Sequence, residues 1–363
     1  MHLRSERNDS LPKISPAHTV SVNRNLAAPC GDRLLRQANA GVVPPRVYKR
    51  GYYIMDVKFY GVDVSKAKLD VACCGQVVEI ENEKKAIRAF VKSVPLGSYV
   101  VMEATNTYHL EMADICHTRG MRAFVVNPRV TRHYREANGL RGNNDRMDAR
   151  TLCRYIEREH DGLREYVPKS ADQRRLKTLV RRRWKLVGMR TQVQESLGSI
   201  KELSRDLRAL VARIDALIAK LELLIDKQLA GNPDRARIAT IKGIGPAVSA
   251  VLIADLSSCE FASADAFVAF YGLDPMPKDS GKRKGRRKLS KRGDRLGRAM
   301  LYNAALSASR TKVWKPMYDS CLERGLTKVQ ALIVVARRIA RTAWSVYTHK
   351  TTFEPSRLFR ALT

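Results

Sequence analysis

No apolar run in the 363 residues approaches the roughly 18 that a membrane-crossing helix needs, which excludes a span of that kind. The N-terminus lacks the apolar core of a secretory leader, so a cytoplasmic protein is expected. Cysteine is sparse and scattered, at Cys30, Cys73, Cys74, Cys116, Cys153, Cys259 and Cys321, with no C-x-x-C pair. That spacing argues against a zinc ribbon and against a disulfide framework, and the thiols read as small buried hydrophobes. No internal repeat recurs at a fixed period, which excludes a solenoid. Acids are also few: 36 Asp and Glu stand against 67 Lys and Arg.

The resulting formal charge of +31 repels itself in a compact chain and attracts polyanions. Nucleic acid is the natural partner, because each neutralised phosphate releases counterions. Hydrophobic residues make up 44%, a globular composition, and the length suffices for two cores and a connector.

Residues 1–54 mix Ser, Asn, Pro and Arg without period. They read as a disordered basic arm or as non-native upstream sequence, since Met55 opens the first recognisable strand. Between 55 and 165 the pattern is α/β. Strands are expected at Val57–Val64, Leu69–Cys74, Gln76–Ile80, Tyr99–Met102 and Met121–Val126. Helices are expected at Glu83–Val94, Tyr108–Thr118 and Asp145–Glu159. Short turns at Ser65–Lys68 and Gly75 join the first three strands, and the alternation of helices and strands that follows indicates an α/β domain with a mixed sheet. From 170 to 231 apolar residues recur at threes and fours among charges, which predicts a coiled-coil hairpin or a dimerisation arm, or else two amphipathic helices on one core. A mainly α domain follows at 232–355.

Four acids stand where two-metal phosphoryl chemistry would want them. Asp63 lies near the end of the first strand in G-V-D-V-S-K, and alternation puts it on the face opposite Val62 and Val64. Glu103 ends the apolar strand V-V-M-E, where a carboxylate is costly without a cation. Asp145 and Asp148 in N-D-R-M-D share one face of a helix. Oxygen ligands of this kind suit Mg²⁺ or Mn²⁺ and in-line displacement at phosphorus. Taken singly, each has a plainer explanation as a cap or turn residue.

In the last domain, G-I-G-P at Gly243–Pro246 reads either as a phosphate-holding helix-hairpin-helix turn, with Gly243 and Gly245 presenting backbone N–H groups, or as a tight turn between core helices. Residues 278–298 carry eleven basic residues and two acids between apolar segments. A phosphate-gripping loop is expected there, with Lys282, Arg283, Lys284, Arg286, Arg287, Lys288, Lys291 and Arg292 on the nucleic acid. The helix at Leu326–Tyr347 carries Arg337, Arg338 and Arg341, which face either a nucleic-acid backbone or the domain core.

The motifs around Asp63, Glu103 and Asp145–Asp148, with Y-G-L-D-P…D-S-G…L-S-K-R-G-D after residue 270, resemble the DEDD transposases of the insertion-sequence 110 family, which includes the Piv-type DNA invertases. The likeness runs from about 57 to 350, with one departure: Asn143-Asn144 stands where a Lys-Thr pair is expected. The resemblance implies an RNase H/RuvC-like N-terminal domain with Asp63, Glu103, Asp145 and Asp148 as metal ligands. It further implies a coiled-coil linker and a C-terminal domain with a helix-hairpin-helix-like element. Ser280 in the S-G element would be the nucleophile, with Ser290 the competing candidate. The implied partners are double-stranded DNA, an element-encoded noncoding guide RNA and further copies of the chain as a dimer or tetramer. A bacterial, nucleoid-associated protein is expected. A site-specific invertase or a Holliday-junction resolvase of the same fold is the alternative.

Overall fold

A computed structural model describes residues 57–139, 144–276 and 288–358. The expectations for residues 1–54 lie outside these. The first region opens with β1 (Phe59–Val64), β2 (Lys68–Cys73) and β3 (Gln76–Glu81), followed by α1 (Lys84–Ser93) and β4 (Tyr99–Glu103). Then come α2 (Leu110–Thr118), β5 (Arg122–Val126), α3 (Pro128–Ala137) and α4 (Asp145–Glu159). The five strands form one sheet in the order β3-β2-β1-β4-β5. β2 runs antiparallel to both β1 and β3, whereas β4 is parallel to β1 and to β5. This mixed sheet with flanking helices is compatible with the RNase H-like expectation.

The alternation of β1 decides what lies on each side of the sheet. Val62 and Val64 point into a core shared with Ile87, Val91, Met112 and Cys116 of α1 and α2. Gly61 and Asp63 therefore face the other way, towards α4. Gly61 is there for closeness: a Cβ on it would stand 2.1 Å from the backbone nitrogen of Cys153 and 2.3 Å from the carbonyl of Ala149. The helix lies directly on the strand, and Leu152, Tyr155 and Ile156 seal the rest of that face against Val101, Phe124 and Val126.

Two long helices follow, α5 (Ala171–Leu197) and α6 (Ser204–Gln228). Arg183 pairs with Glu222 and Arg190 with Asp215, so one number rises as the other falls and the helices are antiparallel. The base of this hairpin is not a free-standing coil. Leu176, Val180, Ile225 and Leu229 belong to the same buried cluster as the helices beyond. Those are α7 (Pro233–Ala239), α8 (Pro246–Leu256) and α9 (Ala264–Phe270), then the short strands β6 (Pro275–Met276) and β7 (Lys288–Leu289), and finally α10 (Arg295–Ala308), α11 (Lys315–Glu323) and α12 (Lys328–His349). Among the described residues no helix is long and apolar enough to cross a membrane.

One sequence expectation needs adjustment, and one open alternative is decided. Cys116 and Cys321 are buried as anticipated, but Cys74 is exposed. It occupies the two-residue turn between β2 and β3, with φ of 50° at Cys74 and 82° at Gly75, the left-handed pair that a tight hairpin demands. The arginines of α12 are taken up within the fold. Arg338 donates to the Leu358 carbonyl and Arg341 to Asp265, while burial and the neighbouring Arg341 hold Arg337 below its ordinary pKa.

Candidate active site

α4 begins where Asn144 caps it, the side-chain oxygen accepting from the backbone N–H of Arg146 at 3.1 Å. That cap places Asp145 and Asp148 in the first turn, where the helix dipole favours negative charge. Because Ala149 and Cys153 of the same helix rest on Gly61, the first turn reaches the end of β1 that carries Asp63.

One carboxylate oxygen each from Asp63, Asp70 and Asp145 lies within 4.8 Å of the others. Two of the four anticipated acids thus meet, and the third member of the group is new. Asp148 and Glu103 stand close enough for their charges to act on Asp63. Burial and then the repulsion of Asp145, Asp148 and Glu103 push the Asp63 carboxyl up to about 6, against a smaller opposing hydrogen bond from the Val64 backbone. Burial also raises Asp148, with Asp145 adding to the rise and Arg135 opposing it. Asp148 forms an ion pair with Arg135 of α3, and Glu103 accepts a hydrogen bond from the buried Thr131 hydroxyl.

Asp70 was missed by reading each strand singly. It faces Asp63 directly across the β1–β2 ladder, is only 2% exposed, and its Oδ1 has no hydrogen-bond partner among the described residues. Lys68 spans the rim of the group, with Nζ 3.6 Å from Asp70, 3.7 Å from Asp145 and 3.0 Å from Glu79. An oxygen-only donor set with an orphaned buried oxygen fits a hard divalent cation.

The second part of the anticipated site flanks residues 277–287. Ser280, Lys282, Arg283, Lys284, Arg286 and Arg287 lie outside the described residues. On either side, β6 and β7 pair antiparallel, Pro275 with Leu289 and Met276 with Lys288. Ser290 donates a 2.5 Å hydrogen bond to Asp274 and so ties the two flanks together. Lys288, Lys291 and Arg292 are exposed. Gly243, at φ 98°, presses on α10: a Cβ there would stand 2.5 Å from that of Ala308. Gly245 has open space around it and opens α8 without a side-chain cap.

A single helix touches both the sheet region and the helical region that follows. Arg174 of α5 donates to Asp114 of α2 at 2.7 Å, and Tyr166 donates to the same carboxylate at 2.7 Å. Further along, Lys177 lies 3.2 Å from the buried Asp255 of α8, and Arg181 2.7 Å from Asp294, which caps α10.

Comparison with known proteins agrees with this layout. Residues 60–200 match a family model described as Transposase, DEDD_Tnp_IS110, and residues 235–319 match one described as Transposase IS116/IS110/IS902 family. The chain is 26% identical over 320 residues to the pilin gene-inverting protein of Moraxella bovis, covering 83% of this chain and 98% of that one. It is 25% identical over 354 residues to a probable family 20 transposase of Pseudomonas aeruginosa, covering 83% of this chain and all of the relative, 100%. The transposase for insertion sequence element IS1328 of Yersinia enterocolitica is 23% identical over 338 residues, covering 82% of this chain and 99% of its own. With both of its regions matched in order and relatives aligned over nearly their whole length, the chain belongs to the IS116/IS110/IS902 family of transposases and is an enzyme that cleaves and recombines DNA.

Proposed function

We propose that this transposase cuts and rejoins DNA with a serine nucleophile assisted by divalent metal. Asp63, Glu103, Asp145 and Asp148 hold Mg²⁺ or Mn²⁺, and Ser280 attacks the phosphodiester. The carrying observation is the meeting of carboxylate oxygens from β1, β2 and α4 within 4.8 Å, with Glu103 and Asp148 adding their charges. When bound, the metal supplies Lewis-acid stabilisation of charge on the reacting phosphate oxygens.

The chain's own groups have separable tasks. The Ser280 hydroxyl gives up its proton as its Oγ–P bond forms, the bond from phosphorus to the departing strand's oxygen breaks, and that oxygen takes up a proton in its turn. The phosphoserine link keeps the bond energy for the reverse attack by a different strand end, which is what exchange requires. Lys282, Arg283, Lys284, Arg286 and Arg287, with the exposed Lys288, Lys291 and Arg292, balance the phosphate charge. Gly245, at the open N-terminus of the eleven-residue α8, is the better placed of the two glycines to meet a phosphate.

Self-association as a dimer or tetramer is supported by Leu203, Leu210, Leu217 and Leu224, which stand seven apart and are exposed, at 37%, 44%, 50% and 40%. A noncoding guide RNA belongs to the same proposal, and the net charge of +31 suits a second polyanion. The name of the Moraxella bovis relative favours a second reading, a site-specific DNA invertase.

The test is trapping of covalent protein–DNA adducts on an element-end substrate. Ser280→Ala should abolish the adduct, and Asp145→Asn should reduce it by two orders of magnitude or more with DNA binding retained. Adducts at normal yield from Ser280→Ala would remove the serine. Cleavage of four-way junctions by that variant would instead favour a Holliday-junction resolvase.

A further inference from the structure

The β1–β2 hairpin makes an unfavourable pair on purpose or at a cost. Directly opposed residues of an antiparallel ladder project from the same face at about 5 Å, and like charges there destabilise the sheet. Asp63 and Asp70 are such a pair. Asp70 is also buried, with 2% exposure, and its Oδ1 finds no hydrogen-bond partner among the described residues. A buried carboxylate oxygen left bare is among the more expensive features a fold can carry.

Lys68 does not remove that cost. Its Nζ is 3.6 Å from Asp70 Oδ2, beyond hydrogen-bond range, and its closest partner is Glu79 Oε2 at 3.0 Å on the outer strand. The lysine side chain is 40% exposed, so the ammonium sits over the mouth of the group on the Oδ2 side, and Asp70 Oδ1 keeps no hydrogen-bond partner among the described residues. Oxygens around an octahedral Mg²⁺ at about 2.1 Å lie roughly 3 to 4 Å apart. The three oxygens of Asp63, Asp70 and Asp145 are already within 4.8 Å, a separation that small side-chain rotations close.

We propose that Asp70 is a fifth carboxylate of the metal centre, a direct ligand shared with Asp63 and Asp145, and that Lys68 is a resident counter-cation that the divalent ion displaces towards Glu79. The proposal rests on the reading of Asp63 and Asp145 as metal ligands and adds Asp70 and Lys68 to it. The geometry also explains why both residues lie in the hairpin: β2 carries Lys68 and Asp70 on the same side, one at the mouth and one at the floor.

The experiment is calorimetric titration of the full-length protein with MnCl₂, for the parent chain and for Asp63→Asn, Asp70→Asn and Lys68→Met. Asp70→Asn is expected to weaken the tightest Mn²⁺ site by tenfold or more. It should also raise the melting temperature of the metal-free protein while shrinking the rise that Mn²⁺ produces. Lys68→Met is expected to bind Mn²⁺ as tightly as the parent or several-fold tighter, because a competing cation is gone. Parent-like affinity in Asp70→Asn, with Asp63→Asn impaired, would overturn the role of Asp70 and leave the metal centre standing. Loss of binding in Lys68→Met as deep as in Asp63→Asn would overturn the displacement. A parent chain that binds no Mn²⁺ would overturn the inference and the metal reading together.

Discussion

The hydroxyl of Ser290 donates to the carboxylate of Asp274 at 2.5 Å, joining the two chain segments on either side of residues 277–287. The Ser290 backbone N–H reinforces the tie with a 2.9 Å bond to the Asp274 carbonyl. A hydroxyl committed in this way serves as a clamp. Ser290→Ala is expected to cost about 1.5–3 kcal/mol of stability, the range for a hydrogen bond to a charged group. It should still form covalent DNA adducts, whereas Ser280→Ala should not. Denaturant midpoints and adduct trapping on both variants check this, and absence of adducts from a folded Ser290→Ala protein would reverse the assignment.

Gly61 sets the distance between strand and helix. A methyl group there would fall 2.1 Å from a backbone nitrogen of α4, a contact that only movement of the helix relieves. Gly61→Ala is expected to destabilise the chain by about 3 kcal/mol or more, the upper range for overpacking. It should also weaken Mn²⁺ binding, because Asp145 rides on the displaced helix. Chemical denaturation and metal titration read the two effects, and parent-like values in both would show that β1 and α4 do not need their close approach.

The exposed leucines of the hairpin give a test of assembly. Leu210→Glu with Leu217→Glu should lower the oligomeric mass seen by light scattering while leaving the far-ultraviolet circular dichroism unchanged, since neither side chain is buried. An unchanged mass would move the self-contact elsewhere on the chain.

His109 supplies a pH dependence. It is buried at the start of α2, and burial, with smaller contributions from Lys169 and Arg174, holds its pKa below the ordinary 6.5. As the pH falls below that value, the unfolded chain takes up a proton that the folded one refuses, so the stability present at higher pH is progressively lost. The loss ends once the pH has passed the folded-state pKa. Denaturant midpoints measured between about pH 7.5 and 5.5 should decline less steeply for His109→Gln than for the parent. Identical slopes would place the acid sensitivity in other groups.

Much of the fold was legible because its signals are local. The helix at Asp145–Glu159 was read with both ends correct, since Asn144 is a capping residue and the apolar positions recur at helical spacing. β1 was read two residues too long, because Val57 and Lys58 continue the β-favouring composition beyond the last ladder partner at Phe59. Asp70 escaped because no single strand shows what it faces. The information was nonetheless present: a turn at Ser65–Lys68 sets Leu69 against Val64, and counting one step further sets Asp70 against Asp63. The same limit applies to the base of the hairpin, whose apolar seam looks alike whether it meets only its partner helix or, as here, α8 as well.

The grip of α5 on both halves of the molecule has a mechanical consequence. Between Arg174 and Arg181 the helix is bonded to Asp114 on one side and to Asp255 and Asp294 on the other. It then continues to Leu197, about 24 Å further at 1.5 Å per residue. A partner that takes hold of the distal tip pulls on a handle fastened to both halves. Torque applied there is delivered to α2 behind the sheet and to α8 and α10 through the same rod.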